Sequence, residues 1–127
     1  MNNQMELRFQ VECQQDVAVV RCSGRLVRGV ALERLRRRIE QLENARILVV
    51  DLSEVEQLDA GGLGTLLLIR GWARRHSVQM KLVNPSLFIL RVLEATRLTS
   101  VFEISSLEEA LSILEARGDW PPHYAVA

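Results

Sequence analysis

The sequence has few of the residues that mark catalytic, metal-binding or membrane proteins. It contains two cysteines, two histidines and 5% aromatic residues, and its sixteen basic side chains are balanced by sixteen acidic ones. Without net charge, the chain has no overall field that would draw it to nucleic acid or to anionic lipid. No apolar run approaches the roughly 18 residues needed to cross a bilayer, and no charged leader precedes an apolar core. We therefore expect a cytoplasmic protein that neither inserts into a membrane nor binds nucleic acid.

The scarce cysteines and histidines do not form a recognisable site. Cys13 and Cys22 lie in neighbouring strand-like segments joined by a tight turn, which places them out of register with each other. We expect two reduced thiols that serve as small hydrophobic side chains. His76 and His123 are isolated, at a helix end and in the tail. These residues predict no catalytic group, no metal site and no cofactor.

The length and the apolar content indicate one domain. A chain of 127 residues that is 48% hydrophobic can bury one sizeable core but is too short for two ordinary domains. We expect this domain to span residues 5–117. The tail over 118–127 contains two adjacent prolines that stop any helix, so we expect it to be flexible or ordered only by a partner.

Apolar periodicity predicts the individual elements. The predicted strands are Glu6–Cys13, Val17–Cys22, Ile47–Val50, Gln79–Val83 and Phe102–Ile104. The predicted helices are Val30–Glu43, Gly61–Arg75, Leu87–Ala95 and a fourth from the capping box at Ser106 to Ala116. The wholly apolar run Ile47–Val50 is typical of a central strand buried on both faces, and a loop is predicted over residues 54–59. This order predicts an α/β fold with a mixed, mainly parallel sheet, an N-terminal antiparallel hairpin and about four helices.

A glycine-rich segment, Asp59-Ala60-Gly61-Gly62-Leu63-Gly64, follows the central strand. Asp59 is a good N-cap for the helix that begins there. Each glycine costs roughly 0.5 to 1 kcal/mol relative to alanine in a helix, which indicates that something approaches the backbone closely. The residues alone leave three interpretations open: packing of the helix on the sheet, docking of a partner, and binding of an anion or nucleotide at the helix start.

The region around this segment resembles the signature of the STAS family, in which a strand and Asp-Leu-Ser precede a short loop and Asp-Ser-Ser-Gly-Leu-Gly. Here Asp51-Leu52-Ser53 and the segment 59–64 take those places. Ser23-Gly24-Arg25-Leu26 stands where the family has Gly-Glu-Leu-Asp. Leu82-Val83-Asn84-Pro85 and the stretch from Leu98 to Ile104 are also similar to family segments. The resemblance extends from Met5 to Leu114.

The resemblance implies a non-enzymatic protein-interaction module of the anti-sigma-factor-antagonist type, with a role in bacterial signalling and transcription regulation. Its implied partner is an anti-sigma factor or kinase-like protein of the GHKL type, and a homodimer is left open. The implied partner-binding residues are Gly24, Arg25, Val27, Asp59, Ala60, Gly61, Gly62 and Leu63. One alternative is an accessory STAS subunit of a membrane ABC transporter, and a weaker one is nucleotide binding by the glycine-rich helix start.

The chain departs from the family pattern where the family's switch proteins are phosphorylated. Ala60 stands at the position of the modified serine or threonine, and neither Ala60 nor Gly61 has a hydroxyl. Arg25 and Val27 replace an acidic pair that family members often carry. A phosphate would add about −1.5 to −2 charge. The resemblance therefore implies a surface that stays competent to bind because the phosphorylation apparatus is absent as a group.

Four further features have two interpretations each. Ser53 and Thr65 are nearby hydroxyls, but the first is expected in a turn and the second inside a helix, which disfavours a substitute phosphosite. Asp51 and Asp59 could form a magnesium site, although a strand end and a helix cap explain them better. The arginines at 34 and 36–38 indicate a solvated helix face more than a nucleic-acid site. The helices over 61–75 and 87–95 are apolar over a wide arc, so either full burial or an exposed interface strip would fit.

Overall fold

The computed structural model describes residues 6–106 together with Glu109 and Ser112. The elements, in chain order, are β1 Arg8–Gln14, β2 Val17–Leu26, α1 Val30–Glu40, β3 Ile47–Leu58, α2 Ala60–Arg75, β4 Gln79–Val83, α3 Leu87–Ala95 and β5 Glu103–Ser105. The five strands form one sheet in the order β1-β2-β3-β4-β5. β1 and β2 are antiparallel and every other neighbouring pair is parallel. The predicted mixed sheet, its opening hairpin and its central strand are confirmed.

The helix count differs from the prediction. The described residues contain three helices instead of about four. Most of the predicted fourth helix, and the predicted tail over 118–127, lie outside the described residues. The predicted capping box is present: Ser106 Oγ accepts from the Glu109 N–H at 3.0 Å, and Glu109 Oε1 accepts from the Ser106 N–H at 2.9 Å. The extent of the domain, residues 5–117, stays a prediction.

All three helices pack on the same face of the sheet. The crossovers through α1, α2 and α3 each advance by one strand in the same direction. Because such crossovers are right-handed, they place their helices on one side. The core lies there, where buried side chains of the three helices meet those of β2 and β3; examples are Leu35, Ile69, Ile89, Val20 and Val50.

The central strand is buried on both faces, as its apolar run predicted. Successive side chains of a strand point to opposite faces, so Val19 and Val49 point away from the three helices. Both are nevertheless only 1% exposed. The first part of β3, residues 47–52, is therefore buried on both faces before its polar continuation begins.

Two strands continue well beyond their predicted ends. β2 was expected to stop at Cys22 but reaches Leu26, and β3 was expected to stop near Asp51 but reaches Leu58. The predicted loop over 54–59 is therefore wrong for all but its last residue. The two strands pair with each other along this extension, with register shifts after Arg21 and Gly24. Mutual backbone hydrogen bonding stabilises the extended conformation here. The four polar side chains among residues 53–57 do not predict it.

The other boundaries differ by small amounts. α1 ends at Glu40, three residues before the predicted end, although Leu42 still packs against the core. β1 and β5 are shifted by one or two residues, α2 begins one residue early, and β4 and α3 have their predicted ranges. Shifts of this size are usual at element ends, where hydrogen bonding frays.

The two cysteines are free, as expected, but only one behaves as a core residue. The hairpin register pairs Cys13 with Ala18 and Cys22 with Phe9, so the two thiols are not opposite each other. Cys22 is buried, and burial, aided by the charge of Asp51, raises the pKa of its thiol to about 12. Cys13 is exposed, so the prediction that both serve as small hydrophobic side chains is wrong for Cys13.

Within residues 6–106, no helix combines the length and the apolar character needed to span a membrane.

Candidate partner-binding site

The paired extensions of β2 and β3 position the candidate site. β4 stops pairing with β3 at Asp51, so beyond this point β3 continues alongside β2 as a two-stranded ribbon. The ribbon ends where Leu26 pairs with Leu58, and the Asp59 N–H donates to the Leu26 carbonyl at 3.3 Å. The segments 24–28 and 59–63, which are more than thirty residues apart in sequence, therefore lie side by side.

Asp59 ties these two segments together as the N-cap of α2. Its Oδ1 accepts from the Gly62 N–H at 2.8 Å. The Arg28 N–H donates to Oδ1 at 3.3 Å and to Oδ2 at 3.1 Å. The Gly62 bond, followed by the Arg28 bond, lowers the pKa of the Asp59 carboxyl, so the group is ionised at neutral pH. The carboxylate already uses one of the helix-start donors that a bound phosphate would need.

The three glycines of the segment have different structural roles. A Cβ on Gly62 would lie 1.9 Å from the carbonyl oxygen of Leu26, so only glycine fits where α2 crosses the end of β2. A Cβ on Gly61 would lie 3.0 Å from Arg28 Cβ, whereas one on Gly64 would meet nothing within 4 Å. Tight packing on the sheet therefore explains Gly62, and open surface surrounds Gly64.

The predicted site residues divide into a buried support and an accessible surface. Gly24 and Gly62 are buried; Gly24 has φ 92°, a conformation that favours glycine. Asp59 and Ala60 are exposed. The remaining four predicted residues, all half-buried, are Arg25, Val27, Gly61 and Leu63. Two buried glycines thus shape a surface to which the other six contribute.

Sequence reasoning missed residues that border this surface on the side of α1. Arg28 is exposed and donates its N–H to Asp59, and Val30 is 72% exposed. Val30 lies at the helix start, outside the buried stripe formed by Leu32, Leu35 and Ile39. An apolar residue outside the buried stripe of its own helix was the signal that could have identified it.

The geometry does not bring Asp51 and Asp59 together as a magnesium pair. Seven residues of extended strand, 52–58, separate Asp51 from Asp59, which gives a distance of roughly 25 Å at the rise of a strand. Asp51 is buried, and its Oδ1 accepts from the Ser53 N–H at 2.9 Å. In the described ranges, no three histidine, cysteine, aspartate or glutamate side chains cluster as metal ligands. Ser53 lies exposed within β3 and not in the predicted turn, while Thr65 is half-buried inside α2, as predicted.

The basic cluster on α1 interacts with acidic residues of the same helix. Arg36 forms ion pairs with Glu33 and with Glu40, the latter at 3.1 Å. Arg37 lies 3.3 Å from Glu33. These contacts support the interpretation as a solvated, internally paired helix face.

Apolar side chains are exposed on two helices. On α2, Leu66, Ile69 and Trp72 are buried, but Leu67 is 37% and Leu68 58% exposed. On α3, Leu87 is 64% and Phe88 49% exposed. The wide apolar arcs in the sequence therefore reflect a buried face together with an exposed apolar strip on each helix.

The STAS domain family model matches residues 8–111 of this chain. Among solved structures, an anti-sigma factor antagonist from Mycobacterium paratuberculosis is 24% identical with a TM-score of 0.74, covering 91% of this chain and 99% of that chain. The anti-sigma factor antagonist SpoIIAA in its unphosphorylated form is 23% identical with a TM-score of 0.72, covering 87% of this chain and 97% of that one. The STAS domain of a SulP transporter from Vibrio cholerae is 18% identical with a TM-score of 0.60, covering 84% and 86%. At these identities, the likeness to the solved structures shows a shared fold.

Proposed function

Because this chain belongs to the STAS domain family, we propose that it is a non-enzymatic interaction module of the anti-sigma-factor-antagonist type. Its partner is an anti-sigma factor or kinase-like protein of the GHKL type, bound without a serine or threonine switch in a cytoplasmic bacterial signalling pathway. The observation that carries the proposal is the exposed, hydroxyl-free start of α2, which Asp59 holds against the segment after β2.

The surface has the composition of a small protein interface. Ala60 is exposed at its centre, and the half-buried Val27 and Leu63 add apolar area. Arg25 and Arg28 supply charge at the border, so an apolar centre has a polar rim. The Asp59 hydrogen bonds and the close contact at Gly62 fix the backbone in advance, which lowers the entropy lost when a partner binds.

The side chain at position 60 supports binding that phosphorylation does not control. SpoIIAA has been solved in both an unphosphorylated and a phosphorylated form. In this chain the corresponding surface carries a methyl group at Ala60, with no oxygen to accept a phosphoryl group. Position 60 therefore always lacks the phosphate charge, and the surface stays in the state that we propose is competent to bind.

A binding titration with a purified GHKL-type anti-sigma factor, chosen from the neighbouring genes, tests the proposal. We expect equal affinity with and without ATP. Ala60→Glu places a negative charge at the centre of the surface and should weaken binding at least about 100-fold. The fold should survive, because a carboxylate in the first helical turn is favourable. Ala60→Ser should bind as the original chain does.

Ala95→Glu is the matched control, since it adds the same charge to an exposed alanine at the far end of α3. It should leave the affinity unchanged. Binding that ATP abolishes, or an Ala60→Glu variant that binds normally, would contradict the proposal.

A transport role is the second candidate, as an accessory STAS subunit of a membrane ABC transporter. Solved structures with a similar fold include a sulfate transporter family protein from Wolinella succinogenes and the STAS domain of a SulP transporter. Leu87 and Phe88 form an exposed apolar strip on α3 that a membrane-protein partner could cover. Co-purification with a neighbouring ATPase–permease pair that is lost in Phe88→Glu and kept in Ala60→Glu would favour this role. The reverse pattern favours the anti-sigma partner.

A further inference from the structure

The side of α2 turned away from the sheet has an apolar surface of its own. It consists of two adjacent leucines between two glycines, Gly64, Leu67, Leu68 and Gly71, which we call the outward face of α2. At 3.6 residues per turn, these residues lie opposite the buried Leu66 and Ile69. More than half of the Leu68 surface and more than a third of the Leu67 surface are exposed.

The two glycines are not required by packing inside the described domain. A Cβ on Gly64 would meet nothing within 4 Å, and one on Gly71 would meet only the flexible end of Arg75 at 3.4 Å. Glycine destabilises a helix interior relative to alanine, so two of them on an open face need another reason. Because glycine has no side chain, a glycine on each side of the leucine pair makes room for the backbone of a second helix.

The two ends of α2 carry opposite charge. The ionised and exposed Asp59 lies at the amino end, and Arg74 and Arg75 are exposed at the carboxyl end. No acidic residue occurs within the helix itself. Two such helices in antiparallel orientation place the carboxylate of each chain near the arginines of the other, and their helix dipoles are also opposed favourably.

The sequence of the outward face is complementary to itself in this orientation. If the pair is centred between Leu67 and Leu68, Leu67 lies opposite Leu68 of the second copy. Gly64 then lies opposite Gly71 of the second copy, and Arg75 reaches its first helical turn. This arrangement gives the same contacts from both sides, as a two-fold symmetric interface requires.

We infer that the outward face of α2 is a homodimer interface, and that its occupant is the antiparallel α2 of a second copy of this chain. A helix of 16 residues is about 24 Å long, and one such helix pair covers less than a standard protein interface. The dimer is therefore weak and forms at micromolar or higher concentrations. Since Ala60 lies at one end of the face, dimerisation also covers part of the partner-binding surface; this last consequence rests on the proposed function, whereas the dimer does not.

Sedimentation equilibrium of the chain alone, from about 1 μM to about 1 mM, measures the association directly. We expect the mass to rise from 14.4 kDa towards twice that value. Leu68→Glu buries an unpaired charge opposite Leu67 and should raise the dissociation constant at least about tenfold. Gly64→Leu should do the same by blocking the helix approach. Arg74→Glu with Arg75→Glu should also weaken the dimer, and more strongly at low salt.

Leu87→Glu is the control, because it adds the same charge to an exposed leucine on α3. It should leave the dissociation constant unchanged, and circular dichroism confirms that each variant is folded. A mass that stays at 14.4 kDa throughout, or a dimer lost in Leu87→Glu and kept in Leu68→Glu, would overturn the inference. No partner protein is present, so this result is independent of whether the anti-sigma proposal holds.

Discussion

At the scale of single residues, one carboxylate and one absent side chain fix the start of α2. Asp59 bonds to Gly62 in its own helix and to Arg28 across the site. Gly62 lets the helix backbone reach the Leu26 carbonyl. The two effects act on the same few atoms, so the position of the candidate surface depends on both Asp59 and Gly62.

Alanine substitution of two glycines in the same helix should have opposite effects. In Gly62→Ala, the new Cβ would lie 1.9 Å from the Leu26 oxygen, and the forced backbone shift should cost about 2 to 3 kcal/mol of unfolding free energy. In Gly64→Ala, the methyl group enters open space, and the higher helix propensity should add about 0.5 to 1 kcal/mol. Urea unfolding at low protein concentration measures both. Equal effects at the two positions would contradict the assigned contact.

The cap formed by Asp59 should give a pH-dependent contribution to stability. Asp59→Ala removes the acceptor of two backbone N–H groups and should cost about 1 to 2 kcal/mol at neutral pH. Because its bond from Gly62 lowers the pKa of Asp59 in the folded state, this stabilisation is complete above the unfolded pKa of about 4. It is lost as the pH falls through the lower, folded value.

The difference in unfolding free energy between the original chain and Asp59→Ala should therefore shrink as the pH falls through the lowered, folded-state pKa of Asp59. Asp59→Asn keeps an acceptor without a titrating charge, so its stability relative to Asp59→Ala should not change with pH in this range. A difference between the original chain and Asp59→Ala that is the same at pH 2 and pH 7 would exclude a role for the ionised carboxylate.

At the scale of elements, the periodicity of apolar residues predicted the helices and strands that are regular. β4 and α3 were predicted residue for residue, and β3 was recognised as central from its apolar run. The ribbon beyond Asp51 was not recognised, because its register shifts leave Leu52, Val55 and Leu58 buried at a spacing of three. A search for alternation cannot detect that spacing, and the intervening side chains are polar, as in a loop.

If residues 52–58 form a strand, substitutions of Val55 and Gln57 should change the stability by different amounts. If they form a loop, both substitutions should have small effects. Val55 is 2% exposed, so Val55→Ala should cost about 2 kcal/mol of unfolding free energy. Gln57 is exposed two residues later, and Gln57→Ala should change stability by less than about 0.5 kcal/mol. Thermal unfolding of the two variants is the measurement. Two equally small effects would show that residues 52–58 do not pack as a strand.

At the scale of the whole molecule, the order of elements predicted the sheet. The family resemblance selected two segments, around residues 24–27 and 59–63, that the structure places side by side. The contact between residues 24–28 and Asp59 depends on the strand extension. Sequence reasoning therefore did not identify Arg28 and Val30 as residues that border the candidate surface. The exposure of Leu68 could not be predicted either. Helical periodicity identifies an apolar arc, but the arrangement of neighbouring elements decides which part of that arc is covered.

The two cysteines can show whether the candidate surface and the core unfold as one unit. Cys13 is exposed and Cys22 buried on the same hairpin. Cys13 should react with a thiol reagent at the rate of a free thiol. Cys22, with its raised pKa of about 12, should react at least about a thousandfold more slowly, because its modification requires opening of the core.

If the start of α2 and the sheet form one cooperative unit, Gly62→Ala should accelerate Cys22 modification alone, by about tenfold for each 1.4 kcal/mol that it destabilises the fold. The rate for Cys13 should not change. Acceleration of neither thiol, despite a lower unfolding free energy, would mean that β2 opens separately from the start of α2. The candidate surface would then keep its structure when part of the core unfolds. If Gly62→Ala accelerates Cys22 modification, the close contact between Gly62 and Leu26 couples the candidate surface to the stability of the whole domain.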